Sequence, residues 1–96
     1  MNKKVIINTS QFEIIENYKD AYTKEEVEDK CTDYFDTYDY ILGDYSYGTL
    51  RLKGFCDKQN KLFKPINDVT LYKEYVKNNC SYDCKYFLIK RVKDSE

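Results

Sequence analysis

Histidine and tryptophan are absent from this 96-residue chain, which also has a single proline and only three glycines. The lack of histidine removes the commonest general base and the commonest metal ligand of proteins. The N-terminal apolar run Val5-Ile6-Ile7 is far too short for a signal peptide or a membrane span. We therefore expect a soluble, cytoplasmic protein that does not contact a membrane.

The charges are almost balanced, with 16 basic and 17 acidic residues and a net charge of -1. Strong nonspecific binding of nucleic acid needs a basic excess, because the affinity comes from released counterions. Eleven tyrosines and five phenylalanines are available for a core, and a tyrosine can bury its ring while its hydroxyl stays near water. The length predicts one domain with a modest core, residues 1–92, followed by a short tail, residues 93–96.

Residue patterns predict five strands and two helices. Residues 4–16 alternate around a polar turn, as in a β-hairpin. The stretch 23–26, TKEE, is a capping box, and the apolar spacing behind it predicts a helix that ends near Thr37. Asp68 is the predicted N-cap of a second helix, and residues 84–92 form a last strand that is apolar on both faces and therefore central. The order ββαββαβ indicates an α+β domain, with a mainly antiparallel sheet packed against two helices.

The stretch 38–55, YDYILGDYSYGTLRLKGF, predicts a β-hairpin with two alternative registers. If residues 46–48 form a three-residue loop that Gly48 closes in the left-handed conformation, Gly43 faces Arg51. If the loop has four residues, the pairing slips by one, Asp44 faces Arg51 as an ion pair, and Tyr45 turns inward. The registers exclude each other, because a slip of one residue reverses every face. We favour the first, which needs Gly48 where it stands and stacks leucine on leucine.

The favoured register suggests a binding site in this hairpin. Arg51 would lie over a hollow left by Gly43, and Asp44 would be a carboxylate near the core that needs backbone donors or a cation. We therefore predict a non-enzymatic binding or regulatory module that works through the hairpin and the last strand. Its partner would be an unidentified protein or an anionic ligand, and its site residues would be Asp44, Tyr45, Tyr47, Arg51 and Lys53.

Cations and tyrosines on the predicted strands allow a second function. Lys85, Lys90 and Arg91 of the last strand could share a sheet with the hairpin cations, interleaved with tyrosines such as Tyr86. Aromatic rings and cations on a sheet are typical of proteins that bind RNA or single-stranded DNA. Lysines on exposed strands also serve simply to block edge pairing. Nucleic-acid binding is therefore the alternative prediction.

The four cysteines offer a third possibility. Cys80 and Cys84 join the end of a helix to the start of a strand, so that a thiol-based redox role is a second alternative. A zinc site would need Cys31 and Cys56 as well, and the spacing lacks the paired CxxC pattern of such sites. We predict no metal site. Cys31 falls on the apolar stripe of the first helix and is expected to pack in the core.

The sequence does not favour an enzyme. Asp39 and Asp44 are too far apart along a strand to act as a catalytic carboxylate pair. No hydroxyl or thiol nucleophile has a histidine base, and the glycines of GDYSYG lie inside a hairpin rather than between a strand and a helix, as a nucleotide-binding loop requires. We predict no catalytic residue and no cofactor.

The strings YDYILGDYSYGTLRLKGF and NNCSYDCKYFLIK together resemble the YutD-like family of small proteins from low-GC Gram-positive bacteria. The resemblance covers about Thr37 to Lys90, with the same order of helix, hairpin, helix and strand. It implies a cytosolic bacterial protein and carries no biochemical activity over to this chain. Cys31 and Cys56 lie outside the motif, which further weakens a four-cysteine zinc site. The positions to which the resemblance directs attention are Tyr40, Gly43, Asp44, Arg51, Lys53, Gly54, Cys80 and Cys84.

Overall fold

The computed structural model of the chain describes residues 3–7, 10–32, 35, 37–46, 48–79 and 84–92. Its elements follow the predicted order ββαββαβ: β1 Lys4–Ile7, β2 Ser10–Tyr18, α1 Lys24–Lys30, β3 Tyr40–Ser46, β4 Thr49–Phe55, α2 Tyr72–Asn79 and β5 Tyr86–Arg91. Two short 3-10 turns, Pro65–Asn67 and Val69–Leu71, lead into α2. Neither helix of these residues has the length and apolar content needed to span a membrane.

The five strands form one sheet in the order β1-β2-β5-β3-β4, and every neighbouring pair is antiparallel. The last strand, β5, lies between β2 and β3, as its apolar residues on both faces predicted. β1 and β4 are the two edges. The α+β class predicted from the sequence is confirmed.

Both faces of the sheet are covered, each by apolar side chains and one helix. We call the side with Ile41, Phe87 and Val27 of α1 the α1 face, and the side with Leu42, Leu88 and Val76 of α2 the α2 face. Neighbouring residues of β3 and β5 therefore enter different clusters, because successive side chains of a strand point to opposite faces. Ile41 and Leu42 are both fully buried for this reason.

Helix α1 is shorter than predicted. It ends at Lys30, because the backbone of Cys31 is extended, and Phe35 reaches the α1-face core from beyond the helix. Thr23 is the N-cap residue, but its side chain makes no capping hydrogen bond. Glu26, the other member of the predicted capping box, accepts a hydrogen bond from the Tyr45 hydroxyl at 2.7 Å. A tertiary contact thus takes the place of the local one.

The second cap lies where the sequence placed it. The Asp68 carboxylate accepts a hydrogen bond from the Thr70 amide at 3.0 Å, which caps the 3-10 turn Val69–Leu71 that precedes α2. Hydrogen bonds from Thr70 hold the pKa of the Asp68 carboxyl below its usual value.

Candidate functional site

The hairpin adopts the register that the sequence analysis did not favour. Asp44 faces Arg51, Tyr45 faces Leu50, and Gly43 faces Leu52. The favoured register, with Gly43 opposite Arg51, is wrong. Gly48 does take the predicted left-handed conformation, with φ of 76°, in the turn between Ser46 and Thr49. Apolar alternation could not choose between the registers, because both faces of β3 are buried.

Asp44 and Arg51 form an ion pair on the α2 face. The side chain of Asp44 is 2% exposed, and its Oδ1 accepts a hydrogen bond from Nε of Arg51 at 3.0 Å, while Arg51 Nη2 lies 3.0 Å from the same oxygen as an ion pair. Ser46 Oγ donates to the same oxygen at 2.9 Å and accepts from Arg51 Nη2 at 3.3 Å. The buried carboxylate has the partner cation that the sequence said it would need. The Arg51 guanidinium is thereby held in one position, while its side chain stays 44% exposed.

Gly43 does not leave a hollow beneath Arg51. It lies on the α1 face, where the ring of Phe87 occupies the space above it. A Cβ atom at this position would lie 2.2 Å from Cζ of Phe87, so only glycine permits this packing. The glycine has a structural role in the α1-face core rather than a role in the site.

Lys53 lies on the same face as Arg51, two residues further along β4. Its Nζ is 5.1 Å from the ring centroid of Phe55 and 5.5 Å from that of Tyr75 in α2. Both distances are within the range of cation–π attraction. The structure therefore brings together three of the predicted site residues: Asp44, Arg51 and Lys53.

The two predicted site tyrosines are not in this group. Tyr45 points to the α1 face, where its hydroxyl bonds to Glu26 and the Lys85 ammonium lies 4.5 Å from its ring centroid. Burial and the hydrogen bond to Glu26 raise the pKa of Tyr45. Tyr45 therefore does not share a face with Arg51, as it would in the register with Gly43 opposite Arg51. Tyr47 lies outside the described residues.

The cations predicted to bind nucleic acid are divided between the two faces. Arg91 lies 4.8 Å from the ring centroid of Phe12 and donates to the carbonyls of Tyr38 and Phe35. Lys90 lies on the other face, 5.9 Å from the ring centroid of Tyr40. With Lys85 over Tyr45, each of these three cations is placed against a ring of its own chain. They do not form one basic, aromatic face.

Only one of the two cysteines predicted to have a redox role, Cys84, is among the described residues. Cys80 lies outside the described residues, and Cys84 is a half-buried free thiol. Cys56 is buried, and burial, with the nearby charge of Asp39, raises the pKa of its thiol. Cys31 packs against the α1-face core, as expected. A redox role of Cys80 and Cys84 stays a prediction. Within the described ranges, no three His, Cys, Asp or Glu side chains are grouped as a metal site would need.

A groove of about 360 Å³ runs beside β4 and was not predicted. The groove is lined by Leu52 and Gly54 of β4, by Tyr38, and by Leu62 and Ile66 of the loop that follows β4. Ile66 is 76% exposed and Leu62 is 46% exposed. Lys53 and Lys64 add charge to its lining. The signal that could have found it is the presence of Leu62 and Ile66, two large apolar residues in a segment without strand or helix periodicity.

Tyrosines on the α2 face surround Glu16. Tyr72 of α2 donates to the Glu16 carboxylate at 2.6 Å, and Tyr86 stacks on Tyr18 with the ring centroids 5.2 Å apart. Burial and the charge of Glu16 raise the pKa of Tyr86 to about 12, and burial with the hydrogen bond to Glu16 raises the pKa of Tyr72. This cluster ties α2 to β2 and β5, beside the row that contains Asp44.

Comparison with known proteins identifies the family. A family model described as "Putative antitoxin YutD-like" matches residues 6–90. "Putative antitoxin YutD" of Bacillus subtilis (strain 168) is 37% identical over 89 residues, which are 93% of this chain and 98% of the relative. The solution NMR structure of protein YutD from B. subtilis is 36% identical and superposes with a TM-score of 0.78, over 98% of this chain and 86% of that one. By sequence and by fold, the chain belongs to the YutD-like family.

Proposed function

We propose that this chain is a non-enzymatic module that binds another protein and regulates it by covering part of its surface. The B. subtilis relative has the description "Putative antitoxin YutD", and an antitoxin acts on a toxic partner. The binding surface in this proposal consists of Arg51 and Lys53 of β4, together with Leu62 and Ile66, two exposed apolar residues that line the groove with Lys53. We call it the β4 surface.

The observation that carries the proposal is the geometry of Arg51. Its guanidinium is positioned by Asp44 and Ser46, yet close to half of the side chain remains exposed. A side chain that is already fixed loses little conformational freedom when a partner binds, so more of the contact energy appears as affinity. Arginine is also among the residues that most often dominate binding energy at protein interfaces.

The partner is expected to present acidic groups to this surface. Arg51, Lys53 and Lys64 are the charged residues of the β4 edge and the groove, while Asp44 is buried and already paired with Arg51. Complementary charge speeds encounter and disfavours wrong partners. The apolar side chains of Leu62 and Ile66 would supply the area that is removed from water.

The experiment is cross-linking in lysate of the native host, followed by mass spectrometry of the captured proteins. We expect the double variant Arg51→Ala with Lys53→Ala to lose at least ten-fold of one specific protein. The matched control is Lys3→Ala with Lys4→Ala, which removes the same charge at and beside β1, the opposite edge of the sheet. Equal capture by the wild type and the double variant would place the interaction elsewhere.

A single substitution distinguishes an effect on binding from an effect on folding. Arg51→Ala leaves the Asp44 carboxylate without its cation, so part of any effect would be structural. Lys53→Glu reverses a charge on the same surface and leaves the Asp44–Arg51 pair intact, so we expect it to reduce capture without unfolding the protein. Recovery of RNA or single-stranded DNA that dissociates as salt increases would instead support the nucleic-acid alternative.

A further inference from the structure

β4 is an edge strand, and of Leu50, Leu52 and Gly54 along it, Leu52 is partly exposed while Leu50 and Gly54 are buried. In the part of the chain that the structure describes, β3 is the only strand paired with β4. An edge strand presents a row of backbone N–H and C=O groups that another chain can pair with. β4 has seven residues, Thr49–Phe55, which is long enough for a ladder with an added strand.

The hydrogen bonds of β3 identify which groups point outward. The Tyr45 amide donates to the Lys85 carbonyl at 3.1 Å, so the odd-numbered residues of β3 bond to β5. Its even-numbered residues therefore bond to β4, and their partners are the odd-numbered residues of β4, as in the pair Asp44 and Arg51. It follows that Leu50, Leu52 and Gly54 direct their N–H and C=O groups away from β3.

Just beyond β4, the outward backbone groups of Cys56 are already hydrogen-bonded to another segment of the chain. The Cys56 amide donates to the Asn67 carbonyl at 2.7 Å, and the Val69 amide donates to the Cys56 carbonyl at 3.0 Å. Cys56 and Asp68 form a parallel bridge in this way. The groove of about 360 Å³ is lined both by Leu52 and Gly54 of β4 and by Leu62 and Ile66 of the loop that follows β4. An added strand would lie in line with residues 67–69.

A second copy of this chain fits the edge poorly. Two copies of β4 could pair antiparallel through their outward groups. If Leu52 lies opposite Leu52, Arg51 lies opposite Lys53, and in the next register on either side Arg51 or Lys53 lies opposite its own copy. Like charges directly opposite each other destabilise a sheet. The same cations attract a strand that carries carboxylates at those positions, and Lys64 adds a further cation to the lining of the groove.

We propose that the partner binds by strand addition: an extended segment of the partner, with carboxylates alternating with apolar side chains, pairs with the outer edge of β4 around Leu52, the partly exposed residue among those whose backbone groups face outward. The carboxylates face Arg51 and Lys53 on the α2 face, and the apolar side chains lie against Leu52 and Tyr38 on the other side. The backbone hydrogen bonds supply affinity, and the alternating side chains supply specificity. This inference rests on the proposed function, since it specifies how the protein partner is recognised.

A synthetic peptide tests the inference without the partner. The probe is a blocked seven-residue peptide of alternating Glu and Val, and the comparison peptides have Lys in place of Glu or carry N-methyl groups on the amides that would face β4. Titration into the 15N-labelled protein is followed by NMR. We expect the acidic peptide to shift the signals of residues 50–54 and to slow hydrogen exchange of the Leu52 and Gly54 amides at least ten-fold. The two comparison peptides should do neither.

Charge reversal provides the matched pair of variants. Lys53→Glu with Lys64→Glu should weaken binding of the acidic peptide at least ten-fold, since both lysines line the groove. The control, Lys58→Glu with Lys61→Glu, makes the same change of charge in the neighbouring loop at residues that do not line it. An equal effect of the two double variants would mean that only the overall charge matters, which would overturn strand addition at β4.

Three other results would also overturn the inference: no exchange protection with the acidic peptide up to millimolar concentration, protection at β1 instead of β4, or a concentration-dependent dimer with protection at β4. These results do not affect the interpretation of the lysate capture experiment. If the Arg51→Ala and Lys53→Ala variant fails to capture a protein that the wild type captures, the chain still binds that protein through these side chains. Conversely, peptide protection at β4 without any captured protein would leave the edge site in place and contradict the proposed partner class.

Discussion

Asp44 and Arg51 connect the stability of the hairpin to the surface that it exposes. The carboxylate is buried and the guanidinium is close to half exposed, so the same contact that neutralises Asp44 also orients Arg51. Removal of one member of a buried ion pair is costly, because the other charge is left without compensation. A pair of this kind holds the two strands in one register, since a slip by one residue would separate its members.

The first prediction is a double-mutant cycle at this pair. Arg51→Ala should lower the free energy of unfolding by about 2–3 kcal/mol, because it leaves Asp44 buried and unpaired. Asp44→Asn in that background should recover part of the loss, since a neutral amide costs less to bury. Urea unfolding of the two single variants and the double variant measures the coupling. Strictly additive changes would show that the two charges do not depend on each other.

Tyr22 gives a prediction of the opposite sign. Its ring packs edge-on against Phe87, with the centroids 5.4 Å apart, but in the described residues its buried hydroxyl has no hydrogen-bond partner. Tyr22→Phe keeps the ring and removes the unpaired hydroxyl. We expect the free energy of unfolding to stay the same or to increase by about 1 kcal/mol. A loss of more than about 1 kcal/mol in urea unfolding would mean that the hydroxyl does make a stabilising bond.

At the scale of the elements, the sequence predicted which segments form strands and helices better than it predicted the register in which neighbouring strands pair. The bounds of β4 and the central position of β5 follow from apolar and β-branched runs. The register of β3 against β4 does not, because alternation identifies the inward side only when one face meets water. Here Ile41 and Leu42 are both fully buried, under different helices.

The candidate site likewise contains residues that the sequence predicted correctly and one whose position it did not predict. Asp44, Arg51 and Lys53 are residues that the sequence predicted for the site, and the structure places them on one face. Tyr45 was assigned to the wrong face, because its orientation depends on the register. Its actual partner, Glu26, lies 19 positions earlier in the chain, and no local pattern connects the two residues.

Gly43 offers a test of how the α1-face core is packed. Gly43→Ala would place a methyl group within 2.2 Å of the Phe87 ring, which is buried and cannot move away freely. We expect a loss of about 2–3 kcal/mol in the free energy of unfolding. Phe87→Leu in the Gly43→Ala background should recover part of that loss. Thermal or urea unfolding measures both, and a tolerated Gly43→Ala would mean that the ring is not held where the structure places it.

At the scale of the whole molecule, the phenols around Glu16 predict how stability depends on pH. The pKa of Tyr86 is raised to about 12, first by burial and then by Glu16, and that of Tyr72 is raised by the same two causes. In the unfolded chain both phenols titrate near 10. Between about pH 10 and 12, the folded protein keeps protons that the unfolded chain has lost, so its free energy of unfolding must fall as pH rises.

Urea unfolding at a series of pH values from 8 to 12 measures this dependence. Stability should be insensitive to these phenols below pH 9 and should decline above pH 10. Tyr72→Phe should make the decline shallower, because one of the shifted phenols is gone, although the loss of the hydrogen bond to Glu16 lowers stability at every pH. The same slope in the wild type and in the variant would show that Tyr72 does not contribute.

The architecture as a whole leaves the edge at β4 for an interaction. Helices and apolar clusters cover both faces of the sheet, and Lys90 and Arg91, the cations of β5, lie against rings of the same chain. The β4 surface combines an oriented arginine, a neighbouring lysine, exposed apolar side chains and outward backbone groups. These are the features from which we infer recognition of an acidic, extended segment of another protein.

Site-specific photo-cross-linking in the native host tests this central claim most directly. A photoreactive phenylalanine analogue is placed on the β4 side at position 49 or 61, which keeps Arg51, Lys53 and Lys64, and in control proteins at position 4 or 6, on the β1 edge. We predict that the β4 positions form a covalent adduct with one protein, through an acidic segment identified by mass spectrometry, and that the β1 positions do not. Adducts only from β1, equal adducts from both edges, or none from either would contradict the account.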